Sequence, residues 1–161
     1  MTDSTHLDGP TLRRAFGRFA TGVTIVTARG ADGVAVGVTA NSFTSVSLAP
    51  PLVLWSLAKS ALSRDAFEAA AAFAVHVLAS DQEDLARRFA RSGTDKFAGV
   101  GVVAGLSGAP LLADAAAVFE CRRWAVYEAG DHLIMVGEVV AFADHQRPPL
   151  VFHAGAFAAL L

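Results

Sequence analysis

Apolar and polar positions alternate along this chain in two rhythms, and the changes of rhythm mark most of the elements. Leu12, Ala15, Phe16 and Phe19 recur at helical spacing, with Arg13, Arg14 and Arg18 on the opposite side. This predicts an amphipathic helix with Pro10 in its first turn and Gly22 at its end. Val23–Thr27 is β-branched and reads as a strand, Asp32-Gly33 as a turn, and Val34–Val38 as the partner strand. Pro50-Pro51 interrupts regular structure before a third strand, Leu52–Leu57. Ser63–Ala70 predicts a short helix with Ser63 as N-cap. Phe73–Leu78 reads as a buried strand, and Ser80-Asp81-Gln82-Glu83 as a capping box starting a helix through Leu85 and Phe89. The Gly-rich stretch 92–108 reads as a long loop. Ala117–Glu128 and His132–Ala143 predict an antiparallel hairpin about Ala129-Gly130-Asp131, and Leu150–His153 a final strand.

Strands joined by short turns, with two or three helices added, predict a mainly β fold on an antiparallel sheet. Regular strand–helix alternation is absent, which argues against a doubly wound parallel sheet. A closed or partly open barrel would remove exposed edges. Residues 1–10 read as a flexible N-terminal tail and 11–161 as one domain, in keeping with a length of 161 residues.

Composition changes this picture in one respect. The chain is 53% hydrophobic and 17% charged, with a mean hydropathy of +0.45, more apolar than an average soluble domain. A membrane helix needs roughly 18 or more apolar residues in a row, and stretches such as Ala69–Val75 are far shorter. The surplus is therefore expected in an interface between two copies of the chain, a homodimer. A net charge of −2 supplies no basic field for nucleic acid. The single cysteine, Cys121, excludes an internal disulfide framework, and the N-terminal segment MTDSTHLDGP has no secretory core, so a cytoplasmic location is expected.

Candidate chemistry begins with what the sequence does not offer. His6, His76, His132, His145 and His153 lack the spacing of a zinc site, and no G-x-S-x-G elbow occurs, so neither a metal nor an acid–base or nucleophilic residue is expected. Cys121 reads as a small buried hydrophobe and His76, between valines, as a satisfied core or interface histidine. Gly99–Ala104 matches G-x-G-x-x-A, but it follows a loop and leads into Gly105–Pro110, which is no helix; the dinucleotide fingerprint needs a strand before it and a helix after it. Three features remain. Val38–Ser47, VTANSFTSVS, is dense in neutral hydrogen-bonding groups and reads either as a plain polar loop or as a binding loop. Lys59–Arg64 puts two hydroxyls and two cations at an expected helix start, which favours an anion. The turn Gly130-Asp131-His132 presents an imidazole at a strand start. Phe89 with Lys96-Phe97 reads as an aromatic lid, or Phe89 as core.

The order of Gly22–Thr27, Thr39–Ser47, Pro50–Leu54, Lys96-Phe97, Gly130-Asp131-His132 and Leu150–Phe157 resembles the short-chain flavin reductases that serve two-component monooxygenases, from about residue 11 to the C-terminus. The resemblance implies an antiparallel six-stranded split β-barrel of Greek-key, FMN-binding type, usually a homodimer. It implies reduction of FMN or FAD by NADH or NADPH and delivery of reduced flavin to a monooxygenase. The flavin-binding positions it implies are Thr39, Ala40, Asn41, Ser42, Ser45, Val46, Ser47, Ser60, Arg64, Phe89, Lys96 and Phe97. It assigns nicotinamide binding to Gly130, Asp131 and His132. Such reductases often carry tyrosine where this chain has Phe152 and Phe157, and His153 is a possible pocket residue in compensation. Two alternatives share the barrel: a flavin-binding electron carrier or sensor without turnover, and a pyridoxamine-phosphate-oxidase-like FMN protein.

Overall fold

The computed structural model describes residues 7–93 and 95–161; residues 1–6 of the expected tail and Thr94 of the expected loop lie outside them. In chain order the elements begin with α1 (Gly9–Phe16), β1 (Thr21–Gly22), β2 (Thr24–Arg29), β3 (Ala35–Ala40), β4 (Thr44–Leu48) and β5 (Pro51–Ala58). They continue with α2 (Arg64–Ala69), β6 (Ala72–Val77), α3 (Glu83–Ala90), β7 (Val102–Ala104) and β8 (Pro110–Leu112). The chain closes with β9 (Ala117–Ala129), β10 (His132–Asp144), β11 (Leu150–His153) and β12 (Ala156–Ala159). The fold is mainly β and its strand pairs are antiparallel, as the turn spacing predicts.

Seven strands form one sheet in the order β3-β2-β6-β9-β10-β5-β4, and β1-β11-β12 form a second, small sheet. The large sheet curls around a core of Val26, Trp55, Leu57, Phe67, Phe73, Val75, Leu133 and Met135. A second cluster on the other face holds Ile25, Leu78, Ala86, Phe89, Leu112 and Leu150 under α3 and the C-terminal strand. Strand alternation explains the division: Ile25 and Val26 are both wholly buried because β2 is covered on both sides.

No hydrogen-bonded strand pair joins β3 to β4 or β5 among the described residues, so the large sheet has two edges. A side chain bridges them. The Ser56 N–H donates to Ser42 Oγ at 2.8 Å, and Ser42 Oγ in turn lies 3.3 Å from the Ser56 carbonyl oxygen. The end of β3 is thereby stitched to β5 from the far side of the sheet.

Five sequence expectations need correction. The polar run 38–47 is a loop only at Asn41–Phe43; Thr44–Leu48 pairs with β5, because an otherwise unpaired strand edge lies beside it. Pro51 begins β5 rather than blocking it, a position where a missing N–H costs nothing. The stretch 92–108 contains β7, which pairs with β8. The capping box does not form: α3 starts at Glu83 with Gln82 as N-cap, and the Gln82 side chain accepts from the Ala79 N–H at 2.9 Å instead. The first helix stops at Phe16, and its apolar stripe is not buried, with Phe16 68% and Phe19 80% exposed. Its start is well fixed: Asp8 Oδ1 accepts from the Thr11 N–H at 2.8 Å, which holds the Asp8 carboxyl below its ordinary range.

Candidate functional site

Two cavities lie along β3. The larger, about 530 Å³, is lined by Val34 and by Ala35–Val38 of β3, by Ala61–Ser63 before α2, and by Ala90 at the end of α3 with Arg91–Gly93 and Asp95–Phe97 after it. The smaller, about 200 Å³, is lined by Val38–Ser42, by Trp55–Ala58 of β5, by Ala61 and by His132. Val38 and Ala61 belong to both, so the two form a trough running from Val34 to the Ser42–Ser56 stitch.

The walls are built by local rules. Gly37 makes room for α3: a Cβ there would stand 2.6 Å from Phe89 Cε1. Phe89 is wholly buried, and its ring carries Phe97 edge-on at 5.0 Å between centroids. Phe97 and not Phe89 reaches the larger cavity; Phe89 has no surface left for a ligand because it is the floor on which Phe97 stands. Lys96 lines the same cavity, yet its Nζ donates to the Gly37 and Phe89 carbonyl oxygens at 3.0 and 2.9 Å. It thus caps the C-terminal end of α3 and ties it to β3. Partial burial lowers its pKa from the ordinary lysine value.

Thr39, Ala40, Asn41 and Ser42 all line the smaller cavity. Two of these polar side chains also have structural partners: Thr39 Oγ1 donates to the Ala86 carbonyl oxygen at 2.6 Å, and Ser42 is the stitch. Ser45, Val46 and Ser47 lie on the edge strand β4 and line neither cavity. Ser60 is exposed in the turn before α2. Ser63 makes no side-chain cap, and Arg64 is held by Glu68 at 2.9 Å, so the expected anion site at a helix start does not assemble as drawn. In this segment Ala61, Leu62 and Ser63 face the cavity instead.

The hairpin turn brings its imidazole to the trough. Gly130 takes a φ of 62°, and the Asp131 carbonyl oxygen accepts from the Lys59 N–H at 2.9 Å, which docks the turn on the end of β5. His132 pairs with Ala58 in register and lines the smaller cavity. Its Nδ1 lies 2.7 Å from Asp131 Oδ1, and this contact lowers the Asp131 pKa. His153 is exposed on the small sheet and lines neither cavity, and Phe152 stacks edge-on against Phe157 at 5.4 Å. Arg87 covers Phe157 at 4.9 Å, so this aromatic pair anchors the C-terminal hairpin to α3.

Sequence reasoning missed Trp55, Ser56 and the Arg91–Gly93 rim. The only signal for the first two was their place on β5 opposite the polar run, and that pairing across the sheet is tertiary. Cys121 is buried, and its thiol is pushed up to about 12 by burial and by the neighbouring Glu120 carboxylate. Glu120 accepts weakly from the Ser107 N–H at 3.3 Å, and the Gly99–Ala104 segment ends in β7 rather than opening a helix. Among the described residues no group of His, Cys, Asp and Glu has metal-holding geometry.

The fold and the trough together define a mainly β protein with a cleft whose inner end bears hydroxyl and amide groups. Residues 16–161 match the flavin reductase like domain, and the chain belongs to that family. It is 50% identical over 145 residues to "FMN reductase (NADH) SmoA" of Agrobacterium fabrum (strain C58 / ATCC 33970), covering 90% of this chain and 82% of that protein. It is 47% identical over 150 residues to a "Probable flavin reductase" of Rhizobium meliloti (strain 1021), covering 93% of this chain but only 48% of that longer protein. The NADH:FAD oxidoreductase SgcE6 of Streptomyces globisporus C-1027, solved in complex with NAD and FAD fragments, superimposes with a TM-score of 0.91 at 46% identity. That match covers 96% of this chain and 93% of the solved one.

Proposed function

We propose that this chain is an NAD(P)H-dependent flavin reductase: hydride passes from NADH or NADPH to FMN or FAD, and the reduced flavin leaves for a separate monooxygenase component. The observation that carries this reading is the trough along β3, which ends in a wall of neutral polar groups and the Gly130-Asp131-His132 turn. Its larger cavity, about 530 Å³, has a volume in the range of cofactor sites, about 300–1,000 Å³. Flavin supplies the hydride-accepting ring when bound. The chain's own residues bind and orient: Ala40, Asn41 and Ser42 at the inner end, with Ser45, Val46 and Ser47 on the adjoining strand. Lys96 and Phe97 form the outer wall, with Ser60 and Arg64 on the segment that borders it. His132, held by Asp131, stands at the opening where a nicotinamide would stack. Neutral donors stabilise charge on a reduced ring without holding the oxidised ring tightly, which suits a flavin that is substrate more than fixed group.

The fold reading that accompanies this is an antiparallel six-stranded split β-barrel of Greek-key type within the domain 11–161, supported by the Ser42–Ser56 stitch across the two ends of the curled sheet. A homodimer belongs to the same proposal and is supported by exposed Phe16, Phe19, Leu48, Trp124 and Phe142. So does a cytoplasmic location, in keeping with a single buried cysteine. No helix among the described residues is long and apolar enough to cross a membrane. The test is direct: mix the purified protein with each flavin and each reduced nicotinamide and follow nicotinamide oxidation. Turnover that depends on added flavin is expected; no oxidation with any pair refutes the reading.

A further inference from the structure

We infer that Arg91 holds the phosphate of the flavin side chain at the outer end of the trough, and that through this guanidinium the chain tells FMN and FAD from riboflavin. The inference rests on the flavin reading above. It moves the anion contact from the expected Lys59–Arg64 segment to a residue that neither the sequence pattern nor the resemblance assigned.

The place of Arg91 follows from how α3 lies on β3. Thr39 Oγ1 meets the Ala86 carbonyl oxygen and Gly37 faces Phe89, so the strand and the helix run in opposite directions. From Thr39 back to Ala35 the strand covers roughly 13 Å. Arg91 follows the last residue of α3 and so stands beyond Gly37, at the end of the trough away from His132. It is exposed, and it lines the larger cavity together with Ser63.

The commitments of the other cations single it out. Of the 13 lysines and arginines, all but Arg13, Arg18 and Arg91 meet an acceptor or an acid among the described residues. Arg13 and Arg18 line neither cavity. Arg64, the cation of the expected anion site, is held by Glu68. Lys96 lines the larger cavity, but it donates to the Gly37 and Phe89 carbonyl oxygens. The C-terminal end of a helix carries partial negative charge and repels an anion. Lys96 offsets that charge on α3, which leaves Arg91 as the surplus cation. Asp95 is the one carboxylate lining the cavity among the described residues, and no ion pair joins it to Arg91.

An oxidised flavin ring is neutral, and the phosphate on its side chain is the charged group. With the ring at the polar inner end, the ribityl chain runs along β3 and delivers the phosphate toward Arg91. A guanidinium offers paired donors that match two phosphate oxygens, and the Ser63 hydroxyl, which caps no helix, can donate beside it. Reduced nicotinamide dinucleotides also carry phosphates, so the test must separate the two sources.

Flavin affinities, read from the quenching of flavin fluorescence, supply that test. The unsubstituted chain is expected to bind FMN and FAD at least about tenfold more tightly than riboflavin, the scale of a charge-assisted hydrogen bond, and added salt should narrow the gap. Arg91→Gln is expected to weaken FMN binding by about tenfold or more, with riboflavin affinity and the nicotinamide KM unchanged. Arg91→Lys keeps the charge but not the fork and should recover part of the loss. Equal affinity for riboflavin and FMN in the unsubstituted chain overturns the inference without any variant. So does an Arg91→Gln chain that binds FMN normally, or one that loses riboflavin and FMN alike. A rise in the nicotinamide KM alone gives Arg91 to the dinucleotide phosphates and overturns it too. If riboflavin, FMN and FAD all fail to bind the unsubstituted chain, the flavin reading falls together with this inference.

Discussion

His76 and His132 carry the same side chain in opposite circumstances. The Leu112 N–H donates to His76 Nε2 at 3.0 Å, which makes Nε2 the bare nitrogen and leaves Nδ1–H to donate to the Ile25 carbonyl oxygen at 3.0 Å. Protonation would set an N–H against an N–H in a buried site. Burial pushes the His76 pKa down to about 4 from an ordinary 6.5. Between those values the unfolded chain binds a proton that the folded chain refuses. Stability is therefore expected to fall as pH drops from about 6.5 toward 4, by about 3 kcal/mol at the lower end. The His76 ring resonance in NMR should keep its neutral position to below pH 5; titration near 6.5 would refute the assignment. His132 has only the exposed Asp131 carboxylate against its Nδ1. His132→Ala is expected to raise the nicotinamide KM roughly three- to tenfold with little change in flavin affinity, the scale of one polar contact. Steady-state kinetics with each substrate varied in turn would show it, and an unchanged nicotinamide KM would remove His132 from the site. Both histidines were legible in the sequence, His76 from its flanking valines and His132 from the glycine turn. The uncommitted cation of Arg91 was not, because a partner's absence is visible only once every neighbour is placed.

Elements owe their limits to neighbours as much as to their own residues. β10 is interrupted at Gly137, where the register against β9 shifts, and a Cβ there would stand 2.5 Å from Phe73 Cζ and 2.8 Å from Cys121 Cβ. Neither neighbour is the loose end of a surface chain. Gly137→Ala is therefore expected to destabilise the protein by about 1–3 kcal/mol, read as a shift of the urea midpoint. The long hairpin of β9 and β10 follows from its alternation and its Gly130 turn, and the observed strands match the expected ones within a residue or two at their ends. β4 is different. Its five residues are exposed or half-buried, and Thr, Ser and Val on an edge carry no periodic signal strong enough to separate strand from loop. It exists because β5 presents an open row of backbone groups. The failed capping box teaches the same point: Ser80 has the right spacing for an N-cap, but its N–H is paired with the Pro148 carbonyl oxygen, and the helix starts two residues later.

At the scale of the whole molecule the unburied apolar surface matters most. Phe16 and Phe19 at the end of α1, Leu48 on β4 and Trp124, Tyr127 and Phe142 on β9 and β10 are all largely exposed, with Leu48 at 94%. A chain this apolar is expected to form a dimer in solution, measurable by light scattering, and Leu48→Glu combined with Phe16→Glu should shift it toward monomer. A monomeric unsubstituted chain would remove the dimer from the proposal. The sequence by itself determined the antiparallel, mainly β character, the main hairpin and the inventory of neutral polar groups, because each depends on alternation and turn chemistry within a few residues. Only the tertiary structure decided that β3 lies against the segments before α2 and after α3 to make a trough. It placed His132 at the same cavity as Asn41, about ninety residues earlier, and left Arg91 uncommitted at the trough's other end. Those outcomes depend on contacts between positions far apart in the chain, where local propensity carries no information.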